Sequence, residues 1–319
     1  MVEGPPLRVA FFGTPEFAVP TLDALLASRH RVVVVVTQPD RPRGRGQKVA
    51  FSPVKARATE AGVPVLQPTK LKDEAFVSSF AATQSDLGVV AAYGRILPAA
   101  LIAAPRLGMI NVHASLLPRY RGAAPVHRAI MAGETVTGVT IMRIVEALDA
   151  GPMMAVKERA IGPDETSQEL ERSLARLGAE LLIDVVEQLA AGKAHESTQD
   201  ERLATYASRI TRDDGLIDWQ RPASDIHNLV RALVPWPHAC TFLDGRRLIV
   251  IQSQALGPGG AHPEAGTVVK ASGDDLDVAA GEGFLRLIRI QPEGGRPLTA
   301  REFLAGHAVR PGAVFRRHA

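Results

Sequence analysis

Short apolar runs rich in valine and isoleucine recur through the first third of the chain, with helix-patterned segments between most of them. No other feature limits the fold as much. The runs are Leu7 to Gly13, Arg31 to Thr37, Pro64 to Gln67, Leu87 to Tyr93 and Met109 to His113. Strands separated by helices build βαβ units, so an α/β domain with a mostly parallel sheet is expected. Pro15 to Ser28 carries apolar Phe17, Leu22, Leu25 and Leu26, and Ala123 to Ala132 follows a glycine; both read as helices. Val136 to Ile144 and Pro152 to Ala160 read as two more strands. An amphipathic helix is expected from Ser167 to Ala191, stopped by Gly192.

The pattern then changes. Lys193 to Arg209 is polar and reads as a linker of irregular backbone. Beyond Ile210, TFLDGRRLIVI places an Asp-Gly pair between apolar runs, the mark of a hairpin. GTVVKA, DLDVAA and GFLRLIRI follow at short spacing, which suggests a small β-barrel or sandwich interrupted by a helix at about Ala223 to Leu233. With 319 residues the chain exceeds the usual single-domain size. The expected division is a domain over 1–192, a linker over 193–209 and a smaller domain over 210–319.

The single cysteine, Cys240, excludes an internal disulfide framework and any CxxC metal site, and it fits a reducing, cytoplasmic compartment. The opening MVEGPPLRVAFFG lacks the features of a signal peptide, and no apolar run approaches a membrane span. No metal and no membrane are expected. A net charge of +3 permits a polyanionic partner without demanding one. Residues 210–319 hold 13 lysines and arginines against 12 acids, so any basic face there has to come from arrangement.

Two stretches carry chemistry. QPDRPRGRGQK, Gln38 to Lys48, has four cations (Arg41, Arg43, Arg45 and Lys48), one acid, two prolines and two glycines, and reads as an exposed loop without regular structure. It follows a strand on the edge where open α/β sheets bind ligands, and arginines beside glycines suit a phosphate backbone as well as a solvated loop. NVHASLLPRYRGAAPV, Asn111 to Val126, comes at the end of a strand expected to be central, again on that edge. Asn111 and His113 alternate and so leave the same face of the strand. An amide NH₂ can stabilise an oxyanion, and an imidazole can move a proton near neutral pH, although a structural histidine fits the same residues. Asp149, in ALDAGPM, is the carboxylate that can orient or charge-balance the ring. FFGTPEF keeps only Gly13 of a dinucleotide fingerprint, which speaks against NAD.

GTPEFA, the basic loop, NVHASLLPRYRGAAPVHRAI, TGVTIM with ALDAGPM, DGLIDW and VPWP together resemble the methionyl-tRNA formyltransferase family over almost the whole chain. The Asn111 stretch is shared more widely among enzymes that use 10-formyltetrahydrofolate, while the basic loop is narrower. The resemblance implies a Rossmann-like formyltransferase domain followed by an OB-like barrel. It implies transfer of a formyl group from 10-formyltetrahydrofolate to methionine on initiator methionyl-tRNA, with a monomeric enzyme expected. Asn111, His113 and Asp149 match the family's catalytic trio; Ser115, Leu116, Leu117 and Pro118 match a loop bordering the folate; Arg45 matches an arginine expected at the tRNA acceptor end. Arg119 and Arg121 stay open between salt-bridged support and acceptor contact. A formyltransferase with another amine acceptor, and a non-catalytic RNA-binding protein, remain the competing readings.

Overall fold

A computed structural model describes residues 4–43, 48–257 and 263–318. Strands in the amino-terminal part are β1 (Arg8–Gly13), β2 (Arg31–Val36), β3 (Arg41–Arg43), β4 (Lys48–Ala50), β5 (Val65–Leu66), β6 (Leu87–Ala91), β7 (Met109–His113), β8 (Arg121–Gly122), β9 (Val136–Arg143), β10 (Met153–Ala160) and β11 (Tyr206–Ala207). Among the described residues seven of them form one sheet in the order β10-β9-β7-β6-β1-β2-β5. The pairs β2 with β5, β1 with β2, β1 with β6 and β6 with β7 are parallel, as the alternating pattern predicts. β9 runs antiparallel to β7, setting His113 opposite Thr140.

Helices of this part are α1 (Val19–Ala27), α2 (Pro53–Glu60), α3 (Glu74–Ala81), α4 (Ala99–Ile102), α5 (Pro125–Met131) and α6 (Ser167–Ala190). Alternate residues of the sheet, Ala10 and Phe12 of β1 with Val34 and Val36 of β2, join Phe76 and Phe80 of α3 and Met109 of β7 in one buried cluster. Val112, of the other parity, meets α6: a Cβ on Gly178 would lie 2.7 Å from its Cγ1, so only glycine lets helix and strand approach this closely. Helices thus cover both faces, and Asn111 and His113 share the parity of Met109.

The basic loop departs from its expected irregularity. β3 and β4 form an antiparallel ribbon with Arg41 opposite Ala50 and Arg43 opposite Lys48. Pro42 is tolerated because each strand of a two-stranded ribbon pairs on one flank only. Arg45 lies outside the described residues. Residues 193–209, expected to be a linker, include a 3-10 turn at Glu201–Leu203 and β11, which pairs parallel with β8.

The chain divides into two compact units: Met1–Pro125, Thr137–Arg159 and Glu171–Ala207 make one, and Val126–Val136, Ala160–Leu170 and Ser208–Ala319 the other. The second unit contains α7 (Ala223–Ala232), β12 (Ala239–Leu243), β13 (Arg246–Leu256), β14 (Val268–Ser272), β15 (Asp275–Ala279), β16 (Phe284–Pro292), β17 (Leu298–Thr299), α8 (Ala300–Gly306) and β18 (Phe315–Arg316). Its antiparallel sheet runs β14-β15-β16-β13-β12-β18, with β17 on β16. The sheet curls until an antiparallel bridge between Thr267 and Val314 joins its two edges, as an OB-like barrel requires. The predicted Asp-Gly hairpin is present: Asp244 (φ 49°) and Gly245 (φ 73°) both take the left-handed conformation that matches strand twist.

One buried histidine makes the first unit acid-sensitive. Leu7 N donates to His30 Nδ1 at 3.0 Å, which requires the lone pair of a neutral ring. Burial pushes the His30 pKa below its ordinary value, outweighing the pull of Glu187. The unfolded ring takes up a proton that the folded ring resists, so this contribution is intact above about pH 6.5 and is lost as pH falls below it. Urea midpoints measured from about pH 7.5 to 5.5 are expected to fall, and the slope to flatten in His30→Asn.

Candidate active site

β7 ends at His113, and the chain then folds into a turn closed by its own side chains. Ser115 Oγ donates to the Arg119 carbonyl (2.7 Å) and Arg119 N to the Leu116 carbonyl (3.1 Å). Thr140 of β9 pins this turn, donating from Oγ1 to the Ser115 carbonyl (2.8 Å) and accepting from Leu117 N (3.2 Å). Ser115 and Leu117 are buried, so the Ser115 hydroxyl is spent inside the turn, whereas Leu116 and Pro118 stay half-exposed.

Past the turn, Tyr120 takes φ 60° and its N–H donates to Thr205 Oγ1 at 2.8 Å. That conformation aims the Tyr120 carbonyl at His113, whose Nε2 lies 3.0 Å away. A carbonyl only accepts, so Nε2 carries the hydrogen and Nδ1 is the nitrogen turned toward Asp149, with Oδ2 at 3.7 Å. His113 is 5% exposed. The same Oδ2 accepts from Gly122 N at 2.8 Å. The structure therefore brings Asp149 beside the ring, and Asn111 lies two residues before His113 on the same strand. Asn111 is half-buried, and among the described residues no hydrogen bond holds its side-chain amide.

Among the described residues Arg121 is the largest side chain that is almost fully buried, at 1% exposure. It donates from Nε (3.0 Å) and Nη2 (2.8 Å) to Gln199 Oε1, and from Nη1 (2.9 Å) and Nη2 (2.7 Å) to the Glu201 carboxylate. These hydrogen bonds hold the Glu201 carboxyl below its ordinary range. Of the two roles left open for it, Arg121 takes that of a support; Arg119 is exposed, its guanidinium 5.3 Å from the Tyr120 ring centroid. Gln199, Glu201 and Thr205 carry no signal in the sequence, where they sit in a polar stretch without periodicity.

Arg41, Arg43 and Lys48 fall on the β3–β4 ribbon, which follows β2. Among the described residues no group of three His, Cys, Asp or Glu side chains stands close enough to hold a metal ion, and no helix is long and apolar enough to cross a membrane.

Residues 7–186 match the family described as Formyl transferase, and residues 209–308 match Formyl transferase, C-terminal domain. The chain is 49% identical over 303 residues to a methionyl-tRNA formyltransferase of Methylococcus capsulatus, covering 95% of this chain and 98% of that one. It is 46% identical over 311 residues to the methionyl-tRNA formyltransferase of Caldanaerobacter subterraneus, covering 97% and 100%. Among solved structures, an N-formyltransferase of Helicobacter canadensis in complex with folinic acid and dTDP-3-aminofucose aligns with a TM-score of 0.66 at 17% identity, over 88% of this chain and 98% of that one. At that identity the likeness is one of fold.

Proposed function

The chain belongs to the formyl transferase family, whose amino- and carboxy-terminal domains it matches over residues 7–186 and 209–308, and from this we propose that it formylates methionyl-tRNA. The reaction moves a formyl group from 10-formyltetrahydrofolate, as co-substrate, to the α-amino group of methionine on initiator tRNA. The observation that carries this reading is identity of 49% to a methionyl-tRNA formyltransferase across both domains rather than over the shared folate half alone. A cytoplasmic, monomeric enzyme without a metal agrees with it.

The residues at the end of β7 fit a formyl donor, because the Asn111 amide has no hydrogen-bond partner among the described residues and can donate to an oxygen. An α-amino group with a pKa of roughly 7.7 to 8.0 is already partly neutral near pH 7, so strong base catalysis is unnecessary. As the amine attacks the formyl carbon, the Asn111 amide donates to the oxyanion that develops. When Nε2 leaves the Tyr120 carbonyl for the reacting groups, the ring hydrogen passes to Nδ1 beside Asp149, so that Nε2 has a lone pair to take the proton from the attacking nitrogen and deliver it to the leaving nitrogen. Asp149 charge-balances the ring while it bears the extra proton. Leu116 and Pro118, half-exposed beside the buried Ser115 and Leu117, are assigned to the folate wall.

Residues 1–192 are assigned to catalysis and 210–319 to tRNA binding, with Arg41, Arg43, Arg45 and Lys48 holding the acceptor end through its phosphates. Arg45→Ala is expected to lower kcat/KM for the tRNA while folate affinity stays native; equal loss of both would contradict this assignment. The function itself is tested by transfer of labelled formyl to methionyl-tRNA, with unacylated tRNA as control. Label appearing on an amino sugar instead would replace the acceptor and keep the donor.

A further inference from the structure

We propose that Gln199 is the positioning residue that sets Asp149 against His113, through an amide that binds both halves of the site at once. The inference rests on the formyl-transfer reading above. Gln199 is 4% exposed, and its amide is used to capacity. Nε2 donates to the carbonyls of Asp149 and Gly151, both at 2.8 Å, while Oε1 accepts from Arg121 Nε at 3.0 Å and Nη2 at 2.8 Å. Only this orientation of the amide works, because carbonyls cannot donate and a guanidinium cannot accept.

Asp149 needs such a holder. It has φ 48°, a left-handed backbone that costs energy in any residue with a Cβ, though less in aspartate than in most. The four residues before it, Val145 to Leu148, are exposed, so neighbouring side chains contribute little packing. What fixes it is polar: Gln199 on its carbonyl and Gly122 N–H on its carboxylate. Those two contacts are linked, because Gly122 directly follows Arg121, the residue that Gln199 binds through its oxygen. One glutamine therefore registers the loop bearing the carboxylate against the loop bearing its N–H donor. A displacement of about 1 Å at a catalytic group can cost as much as 10² in rate, which gives the linkage its catalytic weight.

The test is Gln199→Glu in the full-length enzyme. A carboxylate keeps the oxygen that Arg121 needs and loses both hydrogens that hold Asp149 and Gly151. Single-turnover formyl transfer is expected to fall about tenfold to a hundredfold with both KM values within twofold of native. The ratio of variant to native rate should recover partly as pH is lowered, since a protonated carboxyl can again donate to the Asp149 carbonyl. A native rate at Gln199→Glu, or a loss confined to KM, would overturn the inference. If Gln199→Glu lacks a cooperative unfolding transition, the same split is read on Gln199→Asn, whose amide is one methylene too short to reach all its partners. Absence of formyl transfer by the native protein would instead defeat the functional reading, so the two failures are distinct.

Discussion

Asn111→Ala is expected to slow single-turnover formyl transfer by roughly 10² to 10³ while leaving the protein folded. The size follows from deleting one oxyanion donor, worth about 3 to 4 kcal/mol in the transition state. The survival of the fold follows from the strand. β7 is hydrogen-bonded on both flanks, with Asn111 opposite Val90 and Met142, and those bonds are made by backbone that alanine retains. The amide forms no hydrogen bond among the described residues, so its removal orphans no protein group there. A rapid-quench measurement at saturating substrates isolates the chemical step. A near-native rate in that experiment would remove Asn111 from the mechanism.

Arg121→Ala is expected to be the most destabilising substitution around the site, at about 3 kcal/mol by urea unfolding. Removing the guanidinium leaves the buried Gln199 Oε1 without its two donors and opens a cavity where the side chain was 1% exposed. The value lies at the lower end of the range for breaking a buried charge pair, because the Glu201 side chain is 68% exposed and its carboxylate returns to water. Activity should fall with stability in this variant, since the loop holding the Tyr120 carbonyl and Gly122 N–H loses its anchor. A urea midpoint within error of native would show that Arg121 is not the support its contacts describe.

Much of the frame is legible in the sequence because it is written locally. RVVVVV can hardly be anything but a buried strand, and β2 spans it; Gly192 stops α6 with φ 66°; the Asp244-Gly245 pair closes a hairpin. Each of these depends on residues within a few positions of one another, where period and turn chemistry act. The basic loop misleads because its prolines and glycines read as breakers, whereas β3 and β4 pair across them.

Asn111 and His113 are also legible, since the two-residue period of a strand sends both side chains to one face. The order of the strands, and the antiparallel turn of β9 that brings Thr140 opposite His113, cannot be read from any local pattern. Nor can the partners of Arg121: Gln199 and Glu201 lie 78 and 80 residues farther along, in a stretch whose composition suggests a linker. Sequence alone thus offered the candidate groups and the strand that carries two of them. Tertiary structure decided which nitrogen of His113 meets Asp149, and what holds that carboxylate, because both depend on hydrogen bonds between segments far apart in the chain, and these form only when folding brings the segments together.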